Sequence, residues 1–180
     1  EARLPAGVEP IPGNALHAAS FATRVAGCDT FVQMIGVAHP SPAKAAQFQS
    51  IDLVAGLAGL QAAWQGGVAH FVYLSVAQGA PVMRAYQASR AEVEAAIAAS
   101  GIAATLLRPW YVLGPGHRWP MLFAPLFAVA RWLPWTRLAM SRMEPVRLEA
   151  MIQALVEAIE HPSEGRRVVE IADIQRLATR

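Results

Sequence analysis

Residues 68–116 read VAHFVYLSVAQGAPVMRAYQASRAEVEAAIAASGIAATLLRPWYVLGPG. An apolar run, Phe71 to Val76, carries Ser75 at its end. A helical stretch follows from about Pro81 to Ser100 and closes on Ser100-Gly101, and a second apolar run, Ile102 to Leu107, then meets Arg108-Pro109. The pattern is strand, helix, strand, with the polar groups gathered at one end. In a parallel sheet that end is the carboxyl edge, where open α/β folds bind ligands. Tyr86 and Arg90 stand four residues apart and so share a helix face. Two readings fit this face. A fixed cation beside a phenol, with the Ser75 hydroxyl to hold a substrate oxygen, is an arrangement for proton transfer. A solvated Tyr and Arg on an ordinary helix have the same spacing, and Glu94, four residues after Arg90, offers it a structural partner.

Upstream, Val8-Glu9-Pro10-Ile11-Pro12 reads as a short edge strand, since two prolines would break a central ladder. Gly13-Asn14-Ala15 turns into a helix expected from about Ala15 to Ala26, closed by Gly27. Asn14 reads from its place as a turn or helix-capping residue. Thr30 to Gly36 is a strand expected to be buried on both faces. The small residues Gly36, Val37 and Ala38 after it let a ligand come close to the backbone. His39 lies in a loop, and nothing in the sequence supplies it with an orienting carboxylate. A long helix is expected from about Ala43 to Gln65, its stripe of Phe48, Ile51, Leu53, Val54, Leu57, Leu60 and Trp64 packing on the sheet. Gly56 and Gly59 would permit close approach of a neighbouring helix.

Downstream of Gly116 the sequence is rich in Trp, Phe, Met and Pro as far as about residue 143. This region is read as a flap for a flat or apolar substrate, as a cap buried on the core or a partner, or as an interfacial helix on a membrane. Glu144 to Ile159 is an amphipathic helix with Leu148, Met151, Ile152, Leu155, Val156 and Ile159 inward, and Arg167 to Ile171 is a last short strand.

Composition narrows the function classes. The chain has 180 residues, enough for one core, and 54% of them are hydrophobic. A mean hydropathy of +0.31 demands thorough burial or a partner. The net charge of +2 comes without a basic run interleaved with aromatics, so nucleic-acid binding has no support. Cys28 stands alone, which excludes an internal disulfide and fits a reducing, cytoplasmic compartment. The apolar stretch from Pro120 to Ala130 is too short to span a bilayer. No metal-ligand spacing, Gly-x-Ser-x-Gly elbow or Walker loop occurs.

The Ser75, Tyr86 and Arg90 positions together with R-P-W-Y-V-L-G-P-G (108–116) resemble the second half of a short-chain dehydrogenase/reductase of the atypical, epimerase-like or NmrA-like kind. That superfamily has a Ser or Thr at the end of its fifth strand, a Tyr-x-x-x-Lys helix, and an Arg-Pro-x-x-x-x-Gly-Pro-Gly loop. The resemblance covers nearly the whole chain, with Arg90 in place of the usual Lys. It implies an α/β Rossmann-like doubly wound parallel sheet, with residues 1–116 as the Rossmann-like portion from about the third strand onward and 117–180 as a substrate and cap region of the same domain. The superfamily's opening Gly-x-x-Gly-x-x-Gly turn, which seats a pyrophosphate on a helix N-terminus, has no counterpart in this sequence. The resemblance therefore implies an N-terminally incomplete fold, lacking roughly forty residues or more, since a βαβ unit takes about thirty.

The resemblance also implies roles. Tyr86 would be the acid/base, Ser75 the donor to a substrate oxygen, and Arg90 the cation lowering the phenol's pKa and reaching the ribose of NAD or NADP. Gly13, Asn14, Ala15, Gly36, Val37, Ala38, Pro109, Tyr111 and Val112 would contact the dinucleotide. Gln78, Trp110, His117 and Trp119 would face the small-molecule substrate. The implied activity is NAD(P)-dependent oxidation or reduction, or sugar-nucleotide epimerisation. The alternative is a non-catalytic NAD(P)H-sensing or assembly module of the same fold. A homodimer through the long helix, and peripheral membrane contact, are further partners that it raises.

Overall fold

The computed structural model describes residues 4–114 and 143–177. Among them are six strands: β1 (Thr30–Gln33), β2 (His70–Leu74), β3 (Ala103–Arg108), β4 (Tyr111–Leu113), β5 (Pro145–Arg147) and β6 (Arg166–Glu170). β1, β2, β3 and β6 form one sheet in that order, and each neighbouring pair is parallel. β4 and β5 pair in parallel as a second, two-stranded sheet. The helices are α1 (Ala22–Val25), α2 (Ala45–Gln47), α3 (Val54–Gln65), α4 (Arg84–Ser100), α5 (Leu148–Glu160) and α6 (Ile171–Leu177).

The apolar runs of β2 and β3 make the centre because each has a strand on both sides and helices on both faces. Alternation along β2 sends Phe71 and Tyr73 into one core with Val93 and Ile97 of α4 and the small residues Ala58, Ala62 and Ala63 of α3. Val72 goes to the other face, with Leu107, Val169 and the Ala150, Met151, Ala154 and Ala158 side of α5. Phe31 and Phe71, paired in register, stack with ring centroids 5.4 Å apart. Phe71, Val72 and Tyr73 are wholly buried, and each apolar side chain so placed contributes roughly 1.5–3 kcal/mol. The sheet is thus a doubly wound parallel α/β sheet, as the sequence implied.

α3 and its approach depart from a regular helix. A 3-10 turn (Pro42–Lys44) and α2 lead into a π-helical stretch, Phe48–Leu53, before α3 begins. The wider turn carries Phe48 and Asp52 inward, and both are fully buried. α4 begins later than its sequence suggests because Met83 takes a left-handed backbone (φ 57°). The buried Gln87 then ties down the preceding loop, accepting from the Ala80 N–H and donating to the Ala80 and Val82 carbonyls.

Several expectations are corrected. Val8 to Pro12 forms no strand, as Pro10 and Pro12 remove two donors and no neighbour pairs with it. The first helix shrinks to a 3-10 turn (Ala18–Ser20) and the short α1, interrupted at Phe21. β1 stops at Gln33, and only Gln33 of its four residues is buried, because β1 lies at the edge of the sheet. The long helix buries a small-residue face, leaving Val54, Leu57 and Trp64 exposed. Likewise Ile152, Val156 and Ile159 of α5 face outward, and its alanines face the sheet. The last strand expected near residues 167–171 is present as β6, which joins the main sheet and is followed by α6.

Candidate active site

At the carboxyl ends of β1 and β2, four segments meet on Arg90. Its Nη2 donates to Asp52 Oδ1 at 2.6 Å, and its Nη1 donates to the Leu74 carbonyl at 3.0 Å and more weakly to the Tyr73 hydroxyl at 3.4 Å. The guanidinium also lies 5.2 Å from the centroid of the Tyr86 ring and 5.7 Å from that of Tyr73. Arg90 is 4% exposed and Asp52 0%, so this is a buried ion pair. The other oxygen of Asp52 accepts from the Val37 N–H at 3.0 Å. The loop after β1 is thereby fastened to the π turn.

Glycine at 36 is a requirement of this packing. A Cβ there would stand 2.1 Å from Arg90 Nη2 and 2.8 Å from Asp52 Oδ1. The loop backbone rests directly on the ion pair, with Gly36 and Ala38 themselves exposed. Lys44 reaches back to the Ala38 carbonyl at 2.5 Å.

Tyr86 is half-buried between Phe48, whose ring centroid is 5.0 Å away, and Arg90. Burial raises its pKa, and the charge of Arg90 opposes that without overcoming it. The sequence predicted a phenol lowered by the cation; here the Arg90 contribution has that sign, but desolvation outweighs it. Tyr73 is pushed up to about 12, again chiefly by burial. Burial works against the charge of Arg90, but Tyr86, Tyr73 and Asp52 together hold its pKa above the ordinary value. The phenols are therefore protonated at neutral pH, in the state that donates a proton.

Ser75 belongs to a second buried cluster on the same helix. Its hydroxyl donates to Glu94 Oε1 at 2.5 Å, and Ser75 is 3% exposed. The Arg108 Nε donates to the same oxygen at 3.0 Å, its Nη2 binds Glu94 Oε2, and its Nη1 binds Glu170 Oε1 at 2.9 Å. Hydrogen bonding to Glu94 is the main reason the Arg108 pKa is raised. The alternative partner for Arg90 read from the sequence, Glu94, is thus taken by Ser75 and Arg108.

The other residues singled out in the sequence fall into place around these clusters. Pro109 accepts from the Ala77 N–H at 3.0 Å, joining the loops after β2 and β3. Trp110 and Val112 pack on the core beneath α5, and Tyr111 opens β4. Gln78 is half-buried and donates to the Val76 carbonyl at 3.1 Å. Asn14 caps its own turn, its Oδ1 accepting from the Leu16 N–H at 3.0 Å, while Ser20 closes the loop onto Asn14. Gly13 lies against Phe21 in that turn, and Ala15 is half-buried beside it. His117 and Trp119 lie outside the described residues. Asp52 was missed: its i-to-i+4 neighbours gave no sign of function, and its contact with Arg90, 38 residues away, is made from the π turn. Among the described residues no group of His, Cys, Asp or Glu is arranged to hold a metal ion, and no helix is long and apolar enough to cross a membrane.

No family model matches this chain, and no curated protein matches it in sequence. Solved structures do match in fold. The Bordetella bronchiseptica enzyme WbmH, in complex with NAD+, aligns over 93% of this chain with a TM-score of 0.63 at 19% identity. A short-chain dehydrogenase/reductase superfamily protein from Agrobacterium tumefaciens with bound NAD aligns over 97% with a TM-score of 0.63 at 13% identity. The UDP-N-acetylglucosamine 4-epimerase from Bacillus cereus aligns over 86% with a TM-score of 0.61 at 12% identity. The chain spans 62% of WbmH, 70% of the A. tumefaciens protein and 61% of the B. cereus epimerase. The strand order, the two helical layers and these superpositions agree: this chain has the Rossmann-like fold of short-chain dehydrogenase/reductase and sugar-nucleotide epimerase structures.

Proposed function

We propose that this protein binds NAD or NADP and carries oxidoreductase or sugar-nucleotide-epimerase-like chemistry in which Tyr86 exchanges a proton with a substrate oxygen. The observation that carries this reading is the Tyr86 phenol set on the Arg90 guanidinium at the strand ends, beside the loop of Gly36. A dinucleotide supplies hydride transfer when bound. The loop of Gly36, Val37 and Ala38, exposed at Gly36 and Ala38, and the Pro109, Tyr111 and Val112 segment would hold its nicotinamide end. Gly13, Asn14 and Ala15 would meet its adenine end. The fit is to these loops, and the sequence has no Gly-rich turn to seat the pyrophosphate.

In this reading the protonated phenol donates to a carbonyl oxygen as it becomes a hydroxyl, and takes the proton back in the reverse direction. Arg90 acts on Tyr86 from below, since both of its terminal nitrogens are engaged by Asp52, Leu74 and Tyr73. Gln78 and Trp110 would border the substrate, with His117 and Trp119. Titration with NADH and NADPH tests binding. Turnover of UDP-sugars and ketones by Tyr86→Phe against the native chain tests the chemistry, and unchanged turnover removes Tyr86 from it.

One observation favours a second reading, a non-catalytic dinucleotide-sensing or assembly module of the same fold. The Ser75 hydroxyl is spent on Glu94 inside the protein, so the group meant to hold a substrate oxygen is already satisfied. NADH binding without turnover on any ketone or UDP-sugar supports this reading. A homodimer through α3 and α4 is part of either proposal, supported by the exposed Leu57 and Trp64 on a groove that Ala99 and Ser100 also line.

A further inference from the structure

We propose that Asp52 is a positioning residue for the Tyr86 phenol, acting through Arg90: it cancels the guanidinium's charge and fixes its place beneath the ring, so that the phenol remains a proton donor. This rests on the reading of Tyr86 as the proton-exchanging group. Three contacts carry it. Asp52 Oδ1 binds Arg90 Nη2 at 2.6 Å with both side chains buried. Asp52 Oδ2 binds the Val37 N–H, so one carboxylate sets both the cation and the loop over it. Arg90 in turn lies 5.2 Å from the centre of the Tyr86 ring.

The charged and titratable groups facing the phenol are few. Arg90 comes from its own helix, Asp52 from the π turn and Tyr73 from β2. Glu94, a turn beyond Arg90, is occupied by Ser75 and Arg108. A lone buried cation beside a phenol pulls it toward phenolate, and a carboxylate on that cation takes the pull away. Arg90 stays protonated at any pH the protein meets, so the chain has no means of switching the pull off except a fixed counter-ion. Asp52 is that counter-ion, carried on the π turn.

The test is a pH titration of the whole chain carrying tyrosine labelled with 13C at Cζ, with Tyr86 assigned by its loss in Tyr86→Phe. In Asp52→Asn, which keeps the shape and removes the charge, the Tyr86 midpoint is expected to fall by about one pH unit or more. An unchanged or higher midpoint overturns the proposal. Should Asp52→Asn fail to fold, the double variant Asp52→Asn/Arg90→Gln buries no unpaired charge. There Tyr86 is expected to titrate at or above its native midpoint, and a lower one overturns the proposal. The readout needs neither dinucleotide nor substrate. A shifted midpoint in a protein without turnover upholds Asp52 and refutes catalysis, and an unshifted midpoint with full turnover does the reverse.

Discussion

The Ser75 hydroxyl donates to Glu94 across 2.5 Å inside the protein, so the strand end that opens the site is bolted to the helix that carries Tyr86. Glu94 also holds Arg108 of β3, and one buried carboxylate therefore joins β2, β3 and α4. Glu94→Ala would leave Arg108 and Ser75 without that partner. Arg108 keeps Glu170 as a partner and is partly exposed, so the cost falls below that of stranding a fully buried charge. The expected outcome is a loss of about 1–3 kcal/mol in urea-denaturation free energy, with Ser75→Ala costing less because it strands no charge.

Gly36 makes a separate prediction. The atoms that a Cβ would meet are the bonded ends of the Asp52–Arg90 pair, which have no free direction in which to retreat. Gly36→Ala is expected to cost about 1–3 kcal/mol, as overpacking does. It should also shift the Tyr86 titration, whereas Gly165→Ala, where a Cβ meets nothing, should do neither.

His70 gives the fold a dependence on pH. It is 2% exposed, with Nε2 3.0 Å from the Thr105 hydroxyl and Nδ1 3.5 Å from that of Thr30. Burial lowers its pKa, and Arg167 adds to the effect. The folded protein therefore holds His70 neutral where the unfolded chain would bind a proton. Stability is complete above the unfolded value of about 6.5 and declines as pH falls below it, toward the lower folded pKa. Unfolding free energies between about pH 7 and pH 5 should show this loss. In His70→Gln the slope through that window should flatten.

Trp64 tests the proposed dimer. It is 66% exposed, so Trp64→Glu should change the stability of the monomer by no more than about 0.5 kcal/mol. Sedimentation should show the native chain as a dimer that this variant weakens. A native chain that sediments as a monomer at every concentration would remove the dimer from the proposal.

The layers of this fold were legible because the core strands are nearly continuous apolar runs. Phe71 to Tyr73 and Ala104 to Leu107 are buried on both faces, and the Tyr86–Arg90 spacing put phenol and guanidinium together as observed. The stripe on α3 was misread for a physical reason: α3 packs through Ala55, Gly56, Ala58 and Gly59, and small residues carry little hydrophobic signal while permitting the closest approach. Gly56 shows this, since a Cβ there would come 2.6 Å from Val93 of α4. Asp52 was invisible for another reason. Its partner Arg90 is 38 residues away in the sequence, and a π turn leaves no mark in composition.

The most direct test of the proposed function is a fluorescence titration of NADH and NADPH with the native chain and with Tyr86→Phe, followed by turnover of UDP-sugars and ketones by both. Saturable binding of at least one nucleotide by both proteins, with turnover in the native chain lost in Tyr86→Phe, is the expected result. An absence of saturable binding to the native chain, or equal turnover by the two proteins, would contradict it.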